Sequence, residues 1–488
     1  MKEMSDNVGV PVYQTDVIVM GAGIAGLVAA NRAAQLGLKV VVLEQGHEDQ
    51  YLCNTRYTGG TFHLCMREIT LDPSLLFDLI RDTTAGFVTE PLAQLLSKGG
   101  GRLIAWLQAE GIRFLRASAS EYHKWVLAPP GRSRPGLDWE GRGGDVLLRT
   151  LESQLLKRAG QLQRGVKVES LLDQQGTCVG VQATAKGSAC QYHAKAVVIA
   201  DGGFQCNPSL VRQYVSSQPA KLKQRNGGTA FGDGLLMAQK MGAAISGTAH
   251  FYGHVLSKDA LTNDQLWPYP YLDALVTAGI VVNSSAQRFT DEGRGGVSVA
   301  NAVAQLDDPL SAMCVFDEAI WKGPGKNGLI AANPHLVNEG ATIFVAPTLQ
   351  ELALKAGWDP SVLQLTVKGY NEALVAAGAS TVLMPSDGVP RHNKKYKPLP
   401  IQEGPFYAVP MASGITYTMG GIVINAQAQV LKQDGQVIEG LYAVGAATGG
   451  LEGGPQIGYV GGLAKGGITG LAAAEHVASQ LGLAPPIR

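Results

Sequence analysis

One stretch near the N-terminus restricts the fold of this chain more than any other. Residues 16–20, DVIVM, are a continuous apolar run suited to a strand buried on both faces. GAGIAG follows at once, so Gly21, Gly23 and Gly26 stand in G-x-G-x-x-G spacing, with Ala25 between the last two. LVAANRAAQLG predicts a helix of small residues ending at Gly37, and KVVVLEQG predicts a second strand closed by Glu44 and Gln45. Each part has a physical task. Gly21 makes the tight turn, Gly23 lets a pyrophosphate approach, and Gly26 lets helix and strand pack. The helix N-terminus favours the phosphates, and Glu44 can accept hydrogen bonds from a ribose. Strand, glycines, helix and acid together form a dinucleotide fingerprint, which serves NAD and FAD alike.

At 488 residues the chain is too long for one ordinary core, so two or more lobes are expected. Its 40 basic and 40 acidic residues cancel, which argues against a nucleic-acid partner, and no polybasic run suggests a membrane surface. The six cysteines are scattered without a CxxC pair, so neither a disulfide framework, a structural zinc nor another metal site is expected. The N-terminal MKEMSDNVGVPVYQTD is unlike a signal peptide, and no apolar run reaches the length of a membrane span. A cytoplasmic location is the expectation.

Further elements narrow the ligand. NTRYTGGTF (54–62) lies beyond the second strand, and KAVVIADGGFQCNP (195–208) is another buried strand running into a glycine turn. RNGGTAFGDGLLMAQKMGAA (225–244) places Gly232-Asp233-Gly234 at a helix start; QRFTDEG (287–293), EGLYAVGAATGG (439–450) and GGPQIGYVGGLAKGG (453–467) follow. In order and spacing the series resembles the FAD-binding flavoproteins of the fumarate reductase and succinate dehydrogenase group, which includes tricarballylate dehydrogenase and the 3-ketosteroid dehydrogenases. The resemblance runs from about residue 15 to residue 478 and is weakest between 300 and 400. It implies an α/β fold: a Rossmann-like FAD-binding domain of the glutathione-reductase type, split by an inserted α+β capping domain. The implied segments are 1–249 for the first FAD part, 250–415 for the cap and 416–488 for the return. The proline-rich PSDGVPRHNKKYKPLPIQEGP (385–405) reads as exposed loop.

The resemblance also implies the cofactor wall. Asn54, Thr55, Arg56, Thr58, Gly59 and Gly60 belong to the loop that reaches the flavin, where Arg56 grips either a phosphate or a substrate carboxylate. Ala200, Asp201, Gly202, Gly445 and Ala446 belong to two further turns, and Asp233 reads equally as a helix cap. In such proteins the backbone of Gly461, Gly462, Leu463 and Ala464 passes under the ring at a helix N-terminus, which favours negative charge on reduced flavin. NTRYTGG contains no histidine for ring attachment, with His63 just beyond it, so non-covalent FAD is expected.

At the substrate end the chain departs from fumarate reductases. Gln456 stands where they carry a carboxylate-binding arginine, and Tyr417 stands where they carry a histidine before TMGG. Arg294 is the nearest candidate for their proton-donating arginine, about two positions early. A neutral glutamine cannot form the two-pronged, charge-assisted grip on a carboxylate, so fumarate is not the expected substrate. YVGG (459–462) instead resembles the Tyr-x-Gly-Gly element of ketosteroid and tricarballylate dehydrogenases, in which the phenol and a nearby amide hold a ketone oxygen. The expected reaction is α,β-dehydrogenation beside a carbonyl or carboxylate of a small organic substrate. Tyr459 and the Gly462 amide stabilise the enolate, and hydride passes to flavin N5. Tyr417, His250, His254 and Arg294 are candidate base, shuttle or substrate anchors. Asp291 and Glu292 read as salt-bridge partners.

Other readings remain open from residues alone. The same chemistry reversed would make a reductase of an activated alkene, and ADGG (200–203) also resembles an element of flavin hydroxylases. A redox-responsive protein using FAD structurally is a further alternative. The chain has no CxxCH haem site and no Fe–S cysteine cluster, so a separate electron carrier or acceptor is implied.

Overall fold

A computed structural model describes residues 10–378 and 380–483; the first nine residues of the polar N-terminal stretch lie outside them. Val17–Met20 and Val40–Glu44 form as the apolar runs predict, buried at every position. They pair in parallel at the centre of a six-stranded sheet. Ala196–Ile199 and Val437–Ala443 extend it on one side and Gln161–Arg164 on the other, all in parallel. Gln429–Leu431 closes one edge antiparallel. Strands from both ends of the chain therefore share one sheet.

The crossover between the first two strands is the helix Ile24–Gln35, which stops before Gly37. Gly21 has φ +100°, and a Cβ there would lie 2.7 Å from the Ala200 carbonyl oxygen. A Cβ on Gly26 would lie 2.0 Å from the Gly21 carbonyl oxygen, so helix and turn meet only because that position carries no side chain. The C-terminal helix Gly462–Gln480 packs along the first helix, where a Cβ on Gly470 would lie 2.7 Å from the Ala25 carbonyl oxygen.

A second sheet is organised around the 13-residue strand Phe406–Thr418. Phe251–Ser257, Met313–Asp317 and Phe344–Ala346 pair with it antiparallel, and Ile280–Val282 adds to Met313–Asp317. The register sets Tyr252 opposite Tyr417. This strand runs unbroken through residue 415, where the sequence suggested a segment boundary.

The stretch 385–405 is only partly the exposed loop its prolines suggest. Arg391–His392 pairs with Val382–Leu383, and the Arg391 side chain is fully buried, donating to the carbonyl oxygens of Thr277 and His392. Glu292, also fully buried, lies 2.7 Å from Arg288 and 3.7 Å from Arg391, the salt-bridge role expected of it. Among the described residues no helix is long and apolar enough to cross a membrane.

Candidate active site

One cleft follows the edge of the parallel sheet and passes under the second sheet, with a cavity of about 350 Å³. At the sheet end it is lined by Gly21, Gly23, Ala25, Glu44, Gln45, Asn54 and Thr55. Thr55 Oγ1 accepts from the Ile24 amide (3.1 Å), which fixes the NTRYTGG loop against the helix start. Glu44 accepts from the Ala22 and Gly46 amides (3.0 and 2.8 Å), and burial raises its pKa despite them.

This wall fits a dinucleotide. A Cβ on Gly23 would meet only Thr55 Oγ1, at 3.6 Å, so the backbone there faces open space. Asp201 accepts from the Gly234 amide through Oδ2 (2.7 Å), while its buried Oδ1 has no partner among the described residues. Burial pushes the Asp201 carboxyl up to about 7. Gly202, Asp233, Gly445 and Ala446 continue the lining, with Ala200 beside them, and Asp233 begins the helix Asp233–Lys240.

Thr58, Gly59, Gly60, Gly462 and Leu463 line the middle of the cleft, where the C-terminal helix begins. There the Gly462 amide donates to the Tyr459 hydroxyl oxygen (3.3 Å). Tyr459 stacks on Tyr252, ring centroids 3.9 Å apart and 14° from parallel. The Tyr252 hydroxyl lies 3.0 Å from His254 Nε2, and His254 Nδ1 lies 2.7 Å from Asp273 Oδ2. An ionised carboxylate only accepts, so Nδ1 carries the proton and Nε2 accepts from the Tyr252 hydroxyl. Asp273 also accepts from the Val255 amide through Oδ1 (3.1 Å). Burial lowers the His254 pKa; Asp273 opposes that shift and Arg225 adds to it.

Tyr417 faces the same space, but its hydroxyl donates to Glu452 Oε2 (3.2 Å). Glu452 is ion-paired with Lys465, both side chains fully buried, and the Lys465 ammonium lies 4.9 Å from the Tyr417 ring centroid. Burial holds the Tyr252, Tyr417 and Tyr459 phenols well above the usual range, so all three stay protonated.

Six residues singled out from the sequence do not line the cleft. Gly26 is consumed by helix packing. Arg56 is sealed beneath the loop: it donates to the Tyr51 carbonyl (2.7 Å) and is ion-paired with Asp145, so its charge is spent on structure rather than offered to a phosphate or carboxylate. Gly461, at φ +145°, abuts the His63 carbonyl, and Ala464 is buried in the first turn of the helix. His250 precedes the Phe251–Ser257 strand and accepts from the Met419 amide (2.9 Å) through its backbone oxygen. Arg294 lies 3.3 Å from Asp291 and 3.3 Å from the Pro455 carbonyl oxygen, with 42% of its side chain exposed.

Sequence reasoning missed Tyr252, Asp273 and Arg225. The first had a signal: residues 252 and 254 share one face of a strand, so the tyrosine points where the histidine points.

Comparison with known proteins accords with this geometry. Residues 16–458 match the family described as FAD binding domain. Fumarate reductase (cytochrome) of Shewanella frigidimarina is 28% identical over 465 residues, spanning 91% of this chain and 73% of that protein. 4-Oxocyclohexanecarboxylate 2-dehydrogenase of Sinomonas cyclohexanicum is 27% identical, spanning 90% of this chain and 89% of its own. The fold is shared with 3-ketosteroid delta1-dehydrogenase of Sterolibacterium denitrificans, at TM-score 0.71 and 20% identity, over 96% of this chain and 100% of that one. The chain belongs to the FAD binding domain family, is related to fumarate reductase, and is an FAD-dependent oxidoreductase.

Proposed function

We propose that this FAD-dependent dehydrogenase/reductase of CH–CH groups catalyses α,β-dehydrogenation next to a carbonyl or carboxylate. The observation that carries the reading is the hydrogen bond from Gly462 N–H to Tyr459 Oη, which leaves the phenol proton for a substrate oxygen, beside the Tyr252–His254–Asp273 chain. A substrate oxygen accepts from the Tyr459 hydroxyl, which the Gly462 amide polarises from behind, and this favours the enolate and acidifies the α C–H bond. Tyr252 takes the α proton as its own proton moves to His254 Nε2, and Asp273 stabilises the imidazolium that results. Bound FAD supplies the two-electron acceptor for the β hydrogen. Gly21, Gly23, Glu44, Thr55 and the Gly462 helix start would hold it.

In this reading residues 1–249 and 416–488 form the split FAD-binding domain and 250–415 the cap, with Phe406–Thr418 running across the last boundary. The FAD is held without a covalent link; His63, just beyond the NTRYTGG loop, accepts from the Met66 amide through Nδ1 (3.2 Å). Acid precipitation leaves a colourless pellet if so, and a fluorescent one if not. Electrons leave to a separate carrier, and the six unpaired cysteines accord with a cytoplasmic place.

Run backwards, the same groups protonate the α carbon of an activated alkene, the direction named in relatives such as fumarate reductase and urocanate reductase. An anaerobic panel of ketones, carboxylates and their α,β-unsaturated forms distinguishes the two. Saturated substrates bleach oxidised flavin in a dehydrogenase, whereas alkenes reoxidise reduced flavin in a reductase. Tyr459→Phe is expected to lower turnover with the best substrate about 100-fold while flavin stays bound; turnover equal to the parent enzyme removes the Tyr459 donor from the mechanism.

A further inference from the structure

Among the described residues, the buried arginines are paired with carboxylates, with one exception. Arg56 is paired with Asp145, Arg288 with Glu292 and Asp387, and Arg391 with Glu292. Arg225 is 8% exposed and has no carboxylate within salt-bridge distance among the described residues. Its Nε donates to the Pro268 carbonyl (3.2 Å) and its Nη1 to Thr416 Oγ1 (2.9 Å). These two bonds orient the guanidinium and leave Nη2 without a partner among the described residues. The Tyr269 ring, 5.4 Å from the guanidinium carbon, offers only a weak counter-field. A desolvated cation held this way is costly unless something brings an anion to it.

The position of Arg225 selects which anion. It lines the cleft at the aromatic end, with Tyr252, His254, Trp267, Tyr269 and Tyr271. Its field reaches the Tyr252, Tyr271 and Tyr459 phenols and lowers the His254 pKa. Thr416 and the NTRYTGG loop stand between Arg225 and the Gly21–Gly26 turn, since Asn54 donates to the Thr416 carbonyl (2.9 Å) and Thr55 accepts from the Ile24 amide (3.1 Å), so the cofactor's own phosphates are not the partner this placement suits. The walls are flat rings, stacked in pairs: Tyr252 on Tyr459 and His254 on Tyr271, the latter at 4.4 Å.

We propose that Arg225 is a substrate anchor, and that the substrate is a flat cyclic carbonyl compound carrying a carboxylate, its ring among the tyrosines and its acid group on the Arg225 guanidinium. This rests on the reading in which Tyr459 holds the carbonyl oxygen, and it fixes the opposite pole of the same molecule. Through Nη2 the guanidinium supplies, from a different place in the chain, the charge-assisted hydrogen bond that Gln456 cannot.

The test measures binding rather than turnover, so it stands apart from the fate of the Tyr459 assignment. Holoenzyme is titrated with 4-hydroxybenzoate and with phenol, and dissociation constants are read from the perturbation of the flavin visible spectrum. The parent protein is expected to prefer the acid. Arg225→Gln is expected to weaken 4-hydroxybenzoate about 100-fold, change phenol less than threefold and keep full flavin content. Arg225→Lys, which keeps the charge and loses the fork, falls between. Equal affinity of the parent for acid and phenol, acid binding retained in Arg225→Gln, or no spectral response to either compound overturns the proposal. Loss of FAD from folded Arg225→Gln also overturns it, because Arg225 would then serve the cofactor. If Tyr459→Phe leaves turnover unchanged while the acid preference still depends on Arg225, the carbonyl assignment fails and the anchor survives.

Discussion

Replacing Asp273 by asparagine probes the proton relay with little change of shape. The carboxylate meets His254 Nδ1 at 2.7 Å, which sets the charge centres of imidazolium and carboxylate about 4 Å apart. With an effective dielectric near 20, that pairing stabilises the charged intermediate by about 4 kcal/mol. Loss of that stabilisation from the proton-transfer step corresponds to a fall in turnover of about a thousandfold. The asparagine oxygen can still accept from Nδ1–H, which keeps the tautomer, but its NH2 then faces the Val255 amide, so the variant gives up that hydrogen bond together with the charge. The sign of the pH effect follows from the same contacts. Burial holds the His254 pKa below the ordinary 6.5, and Asp273 partly offsets that. Dehydrogenation needs neutral His254, so the acid limb of kcat/KM in the parent lies below 6.5 and moves to still lower pH in Asp273→Asn. The assay is dye-coupled turnover across pH with the substrate that best bleaches the flavin. A loss smaller than tenfold, or a large loss with the acid limb unmoved, refutes the relay; the second result would make Asp273 a structural brace for the strand at Val255.

Two further perturbations test the surroundings. Lys465→Met leaves Glu452 charged and fully buried, which costs about 3–5 kcal/mol. At about 2.1 cal/mol/K per residue the 488-residue chain has an unfolding entropy of about 1 kcal/mol/K, so the thermal midpoint of the holoenzyme should fall about 3–5 °C. Adding Glu452→Gln should recover most of that fall, and a double variant as unstable as the single one contradicts the account. His63 is buried with its pKa lowered from 6.5 to about 4, so the unfolded chain takes up a proton across that window and the folded chain does not. Stability should therefore fall as pH drops from 6.5 to 4, by about 3 kcal/mol from this group, and His63→Gln should flatten that part of the urea-denaturation profile.

The sheet end of the cleft was legible because its elements are contiguous. Val17–Met20, the glycine turn, Ile24–Gln35 and Val40–Glu44 are joined by short connections, and Gly21 and Gly26 stand where backbone meets backbone. The substrate end was legible at the return segment, where Tyr459 and Gly462 sit three residues apart, and at Tyr417 and His254. Its other members are brought in from separate places. Arg225 comes from a two-residue strand end, Asp273 from the first turn of a short helix, and Tyr252 from a strand whose alternation alone could have announced it. Nothing local distinguishes Arg225, which stands free, from Arg56, which a helix 89 residues away neutralises. Family position pointed to Arg56 and Arg294; pairing in space decides otherwise, since Asp145 and Asp291 are already there.

The two phenols that face each other across the Gly462 helix start differ in what their oxygens can do. Tyr417 donates to Glu452, and that carboxylate is ion-paired with the buried Lys465 ammonium, which also lies over the Tyr417 ring. Its proton is engaged, and removing it would set a phenolate against Glu452, so Tyr417 is a poor base and a good brace for the 452–460 loop. Tyr459 has no such acceptor among the described residues: its oxygen receives the Gly462 amide and its own proton is left to point into the cleft. Tyr252, stacked beneath it, passes its proton to an imidazole instead of a carboxylate. An acid–base group must be able to change its protonation state during a turnover, and of the three phenols only Tyr252 touches a partner that can absorb the change. The division of labour among these tyrosines therefore follows from their acceptors, Glu452, His254 and none, more than from their distances to one another.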